Sequence, residues 1–251
     1  MTNPHRPLIY AHRGASADAP ENTIAAFRRA LDDGADGVEC DVSRCKTGEI
    51  VILHDDSLNR TTNGKGLMHE HPWEALRQLD AGSWFGAPYA GEPLPLLSDL
   101  LDLAAGGLKL NIEIKSRSVR GDGIEDEIAQ QLAERGLIEQ TIISSFNPLS
   151  LQRMQRANPE IACALLYSLN LPKRDELASL LKRLKLRALH PEWTMVNGEY
   201  LAWAHEAGFL VNVWTVNTPE DLQKMVSLGV DGIITNHPGR LHNLLKGGQN
   251  G

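Results

Sequence analysis

The sequence predicts an α/β fold, a parallel (β/α)8 or TIM barrel, on three observations. Short β-rich runs alternate with helix-length amphipathic stretches along the whole chain, the pattern of βα units around a parallel sheet. The pairs number eight, and 251 residues is the usual size of such a barrel. No internal repeat or low-complexity segment divides the chain, so residues 1–251 read as one domain.

The strand candidates are Leu8–His12, Gly37–Asp41, Leu110–Ile114, Thr141–Ser145, Ala162–Tyr167, Arg187–His190, Leu210–Thr215 and Gly232–Thr235. Each precedes a helical candidate: Asn22–Asp33, Leu97–Ala105, Ile124–Arg135, Pro148–Ala157, Lys173–Leu184, Asn197–Glu206, Pro219–Ser227 and Pro238–Leu245. Pro148, Pro219 and Pro238 stand at helix starts, where a missing N–H costs nothing.

A ninth run, Ile50–Leu53, does not fit the count. Only Val42 to Glu49 separate it from the second strand, and a parallel crossover needs about a dozen residues or more. The run is therefore expected to return antiparallel through the turn at Lys46-Thr47-Gly48, bringing His54 back level with Glu39 and Asp41. The following segment, residues 56–96, exceeds the roughly 12–15 residues of ordinary loops and carries Trp73, Trp84, Phe85 and Tyr89. It reads as a small cap insertion over the barrel mouth.

Hydrophobic content of 42% is ordinary for a domain with a sizeable core, and a net charge of −7 argues against nucleic acid and stable membrane association. The polar N-terminus and the lack of a long apolar run point to a cytoplasmic protein. Cys40, Cys45 and Cys163 lack C-x-x-C spacing and read as reduced, structural thiols.

Side chains alternate across a strand, so Glu39 and Asp41 share the face toward the barrel axis while Val38, Cys40 and Val42 face the helices. Asn111, Glu113 and Lys115 repeat this parity on the next strand, and all lie at strand ends that form the mouth of such a barrel. Any one carboxylate there could be half of a structural ion pair. Three converging on one point repel unless a cation sits among them, so Glu39, Asp41 and Glu113 are expected to hold a metal. An all-oxygen set selects one divalent cation, Mg²⁺ or Ca²⁺, with Mn²⁺ a further option. With that ion, Arg13 and Lys115 the site carries one net positive charge, which suits a phosphodiester monoanion. Hydrolysis then needs a base for the nucleophile and an acid for the leaving alkoxide, and His12 and His54 have suitable intrinsic pKa values. Trp214 shares parity with Asn212 and is expected as an aromatic wall that touches substrate.

Several strings together resemble the glycerophosphodiester phosphodiesterase family. They are His12-Arg13-Gly14, Pro20-Glu21-Asn22-Thr23, Gly37-Val38-Glu39-Cys40-Asp41-Val42, His54-Asp55 with Arg60-Thr61-Thr62-Asn63-Gly64, Glu92-Pro93-Leu94-Pro95, Asn111-Ile112-Glu113-Ile114-Lys115, Ser145-Phe146, Trp214-Thr215-Val216-Asn217 and Gly232-Ile233-Ile234-Thr235. The resemblance spans nearly the whole chain and is closest to the bacterial cytosolic branch. It implies a TIM barrel that hydrolyses deacylated phospholipids, such as glycerophosphocholine or glycerophosphoethanolamine, to sn-glycerol 3-phosphate and an alcohol. It places the metal on Glu39, Asp41 and Glu113, acid/base work on His12 and His54, and phosphate contacts on Arg13 and Lys115. The hairpin turn has Thr47 where the family usually has Asp, and the last strand ends Thr235-Asn236 where the family usually has Thr-Asp. Both are expected to alter only local turn hydrogen bonds. Alternatives are lysophospholipase D-like action, proton abstraction of the enolase type, and a phosphodiester-binding barrel without catalysis.

Overall fold

The computed structural model describes residues 6–116, 120–168, 179 and 181–247. Within them run β1 (Leu8–His12), β2 (Gly37–Arg44), β3 (Ile50–Ile52), β4 (Lys109–Ile114), β5 (Thr141–Ser145), β6 (Ala162–Tyr167), β7 (Ala188–Pro191), β8 (Leu210–Val213) and β9 (Gly232–Thr235). All except β3 are parallel, in the order β1-β9-β8-β7-β6-β5-β4-β2, and β2 pairs back onto β1. The sheet thus closes into an eight-stranded parallel barrel of the TIM type. Closure leaves one appended strand, β3, which pairs antiparallel with β2 through Val42↔Ile52 and Arg44↔Ile50.

Alternation explains why this barrel has a greasy outside and a charged inside. Val38, Cys40 and Val42 on β2 and Leu110, Ile112 and Ile114 on β4 join one apolar core with Phe27, Leu97, Leu100 and Leu101 from the surrounding helices. The intervening residues face the barrel axis. All three cysteines are buried free thiols.

Helix starts follow capping chemistry. The helix α1 (Ile24–Asp32) is capped by Thr23, whose hydroxyl oxygen accepts from Ala26 N–H. It begins two residues later than the expected Asn22, because Asn22 sits in the left-handed region at φ 58° and turns its side chain to the barrel instead. Asn147, Asn197 and Thr218 cap three further helices, Pro148–Ala157, Gly198–Glu206 and Pro219–Leu228. The expected helix Lys173–Leu184 lies largely outside the described residues. The second strand runs three residues past Asp41, as the hairpin requires. The strand at Leu210 stops at Val213, and Trp214 N–H still reaches Pro191 O at 3.2 Å.

The insertion after β3 has a small core of its own: Leu58, Met68, Leu76, Ala81 and Leu94 pack on Val51 and Leu53. Thr47 in the hairpin turn ties into it, accepting from Trp73 N–H at 3.0 Å. Across the β1–α1 loop, Tyr89 Oη donates to Asp18 O at 2.9 Å and Glu92 accepts from Ala25 N–H at 3.0 Å. Trp84, Phe85 and Tyr89 pack edge-on against one another at 5.6 Å centroid separations. The insertion therefore spans from the hairpin to the β1–α1 loop, beside the mouth.

Candidate active site

At the strand ends β2 and β4 deliver Glu39, Asp41 and Glu113 to one place, in the register Asp41↔Glu113. Their ligand oxygens lie within 4.8 Å of one another, and the residues are 4%, 1% and 7% exposed. Burial pushes Glu39 well above the usual carboxylate range, and repulsion from Asp41 and Glu113 adds to it. Glu113 rises for the same reasons, burial first and Asp41 second. Burial also works to raise Asp41, but Lys115 and Arg13 overcome it and hold Asp41 well below the usual range.

Lys115 Nζ bridges Asp41 at 2.9 Å and Glu113 at 2.7 Å. Arg13 Nε stands 3.3 Å from Asp41 Oδ2, an ion pair without hydrogen-bond geometry, while the Arg13 backbone N–H donates to Glu39 at 2.9 Å. Arg13 achieves this with a left-handed backbone, φ 57°, and Asn22 at φ 58° donates its amide to Asp41 at 2.8 Å. Two non-glycine residues in this sparsely populated region, both turned to the same acids, mark strain held at a functional site.

The two histidines flank the acids. His12, the register partner of Glu39, has Nε2 at 4.0 Å from Glu39 Oε2 and Nδ1 at 2.7 Å from Asn236 Oδ1. Burial and the nearby Arg13 push its pKa down to about 4. His54 follows β3, where Leu53 N–H donates to Asp41 O, and its Nδ1 lies 2.7 Å from Asp55. Asp55 and Glu21 both pair with Arg60, at 2.7 Å each, and Glu21 also accepts from Arg13 at 3.0 Å. A chain of alternating charges thus runs from Asp55, beside His54, round to Asp41.

The expected site residues His12, Arg13, Glu39, His54, Glu113, Lys115 and Trp214 all line an inner cleft of ≈ 170 Å³. Asp41 lies beside it, beneath Lys115 and Arg13. An outer cleft of ≈ 560 Å³ shares His54, Glu113, Lys115 and Phe146 with the inner one, and Asp56 and Ser57 of the insertion line its edge. Trp214 donates its indole N–H to His190 O at 2.7 Å and meets Phe146 edge-on at 5.6 Å.

The orienting residues were not expected from sequence. Asn236 was expected to affect only turn hydrogen bonds, yet it holds His12, because β9 ends beside β1. Glu21, Asn22, Asp55 and Arg60 carried no role beyond their place in the motifs. Their signal was clustering of charge in turn segments, which does not show what touches what.

The acids fit a hard divalent cation on the chemistry of the donor set. Two carboxyls that burial and mutual repulsion hold toward the protonated form, together with buried amide atoms of Asn111 that have no hydrogen-bond partner among the described residues, make a cluster incomplete without added positive charge.

Comparison with known proteins gives one answer. Residues 12–240 match the Glycerophosphoryl diester phosphodiesterase family. A glycerophosphodiester phosphodiesterase of Caldanaerobacter subterraneus subsp. tengcongensis is 40% identical over 244 residues, covering 97% of this chain and 99% of that protein. One from Bacillus altitudinis is 35% identical over 92% of this chain and 95% of its own length. An Oleispira antarctica phosphodiesterase solved in complex with the product sn-glycerol-3-phosphate superposes with a TM-score of 0.85 at 32% identity, over 96% of this chain and 97% of that one.

Proposed function

Because this chain belongs to the glycerophosphoryl diester phosphodiesterase family and is an enzyme of that activity, we propose that it hydrolyses glycerophosphodiesters to sn-glycerol 3-phosphate and an alcohol with one divalent cation, Mg²⁺, Ca²⁺ or Mn²⁺. The observation that carries the reading is the buried Glu39–Asp41–Glu113 cluster with a histidine on either side. The product complex of the Oleispira relative supports the glycerol phosphate half of the substrate.

Glu39, Asp41 and Glu113 would hold the ion, which when bound supplies Lewis-acid stabilisation of charge on the phosphoryl oxygens. Arg13 and Lys115, fixed beside those acids, present positive charge to the same oxygens. One histidine takes the proton from the nucleophile as its oxygen bonds to phosphorus; water gives sn-glycerol 3-phosphate directly, whereas the glycerol 2-hydroxyl gives a cyclic phosphate that water then opens by a second displacement at phosphorus. The other protonates the alcohol oxygen as its bond to phosphorus breaks. Trp214 walls the pocket on the side of Phe146.

The alcohol side is read as choline or ethanolamine. Phe146, 49% exposed, and Trp214 form a right-angled aromatic corner at the mouth, a surface that attracts an alkylammonium through the ring faces. Asp56 and Ser57 line the same outer cleft as Phe146, and the insertion they begin, residues 56–96, is proposed to tune that preference. The cytoplasm is the proposed location, in keeping with three buried free thiols; among the described residues no helix is long and apolar enough to cross a membrane.

The test is release of glycerol 3-phosphate from glycerophosphocholine by EDTA-stripped enzyme, before and after each cation is returned, beside a lysophosphatidylcholine control. Cation-restored turnover of the glycerophosphodiester is expected. Full activity after stripping would remove the metal from the reading, and faster turnover of the lysolipid would reassign the substrate.

A further inference from the structure

The acids occupy three corners of a two-by-two block on adjacent parallel strands. Glu39 is the register partner of Asn111, and Asp41 of Glu113. All four side chains share the inward face. The fourth corner, Asn111, is 1% exposed, and neither its amide oxygen nor its amide nitrogen has a hydrogen-bond partner among the described residues. It lines the inner cleft together with Glu39 and Glu113.

That is an expensive residue to leave in a barrel interior. A buried amide without partners bears the full desolvation of both polar atoms, whereas an aliphatic side chain would fill the volume without that cost. The neighbouring position in the same register row, Ile142 on β5, is aliphatic. The Ser144 hydroxyl is also buried without a hydrogen-bond partner among the described residues, but Ser144 stands outside the block, and the one acid in its register row on the neighbouring strand is Glu113. Asn111 lies next to one acid across the strands and two residues from another along its own strand.

We propose that Asn111 is the fourth, neutral corner of the cation site, its amide oxygen turned to the ion directly or through one bound water. The inference rests on the metal reading given above. Hard divalent cations take six or more oxygens. Three carboxylates already exceed the charge of one such ion, so a further side-chain donor best serves by adding an oxygen without adding charge. An amide does this where a fourth acid would deepen the repulsion.

The test is calorimetric titration of MgCl₂ and CaCl₂ into the EDTA-stripped full chain, wild type and Asn111→Leu, with thermal melts of both metal-free proteins. The wild type should bind one ion. Asn111→Leu should bind about 10–100-fold more weakly, the range lost when a supporting partner of a metal site is removed. Its metal-free melting temperature should equal or exceed the wild type's, because an unpaired amide has gone. Wild-type binding with unchanged affinity in Asn111→Leu overturns this proposal alone, whereas no ion bound by the wild type removes the metal reading beneath it. Should Asn111→Leu not fold, the ¹³Cγ resonance of Asn111 in asparagine-labelled wild-type protein should move on saturation with Ca²⁺. A resonance that stays in place while the ion binds overturns the proposal.

Discussion

The side-chain oxygen of Asn236 lies 2.7 Å from Nδ1 of His12. An amide oxygen only accepts, so the ring proton sits on Nδ1 and Nε2 is left bare, 4.0 Å from Glu39. With burial and Arg13 pushing its pKa down to about 4, His12 is neutral at pH 7 and fit to take a proton. In the proposed mechanism His12 is then the base, and the acid is His54, whose Nδ1 lies 2.7 Å from Asp55.

Replacing either histidine by Ala should lower kcat by about 10²–10⁴, with substrate binding largely retained. A nitrophenyl ester of glycerol 3-phosphate has a leaving group that needs little protonation. It should rescue His54→Ala far more than His12→Ala. Equal rescue of both variants, or undiminished turnover by either on a natural substrate, would show that these rings do not carry the protons. Asn236→Asp supplies a carboxylate that favours the His12 imidazolium, so the acid limb of its kcat/KM profile should move to higher pH. An unmoved limb would mean that His12 does not set it.

Without an ion, the acid cluster should make stability fall as pH approaches neutrality from below. Glu113 is pushed up to about 7 and Glu39 well above its usual value, so the folded chain holds protons that the unfolded chain has lost from about pH 4.5 upward. By linkage, stability declines across the interval between the two values. His12, His190 and His237 run the other way, but their contributions end near 6.5, their ordinary value, and the contribution of Asp41, held low, is complete above its ordinary value of 3.8. From pH 6.5 to about 7 the two glutamates therefore decide the slope. Melting temperature of the stripped protein should fall over that range, and the increment given by Ca²⁺ or Mg²⁺ should grow. An increment flat with pH would contradict proton displacement. Glu39→Gln should abolish the calorimetric ion site, and unchanged affinity there would exclude Glu39 as a ligand.

Period-two alternation made the barrel and its three acids legible in the sequence, since Glu39, Asp41 and Glu113 interrupt runs that are otherwise apolar. The short spacing from Val42 to Glu49 made the antiparallel β3 legible for the same kind of reason, a limit on what a crossover can span. The partners of the site were hidden. Asn236 meets His12 only because β9 closes against β1, and Arg60 reaches Glu21 only because the insertion folds back across the β1–α1 loop. Such contacts depend on tertiary closure, and no local pattern encodes them. The start of α1 moved for a related reason, since Asn22 gives up a helical backbone to reach Asp41.

The alcohol end of the substrate should be read by two walls that can be tested apart. Phe146 and Trp214 supply ring faces at right angles, and Asp56 and Ser57 at the root of the insertion line the same outer cleft as Phe146. Phe146 is half exposed and lies outside the apolar core, so Phe146→Ala should remove a binding surface with little effect on folding. A cation over an aromatic face contributes about 0.5–2 kcal/mol, so KM for glycerophosphocholine should rise roughly 2–30-fold. An uncharged alcohol such as the one in glycerophosphoglycerol gains little from the rings, and its KM should hardly change. Exchanging residues 56–96 for the corresponding segment of a relative should shift relative kcat/KM among the same substrates while cation affinity stays put, because the proposed ligands lie on β2 and β4. An equal loss on every substrate in either experiment would mean that the altered wall supports the fold and does not select the alcohol.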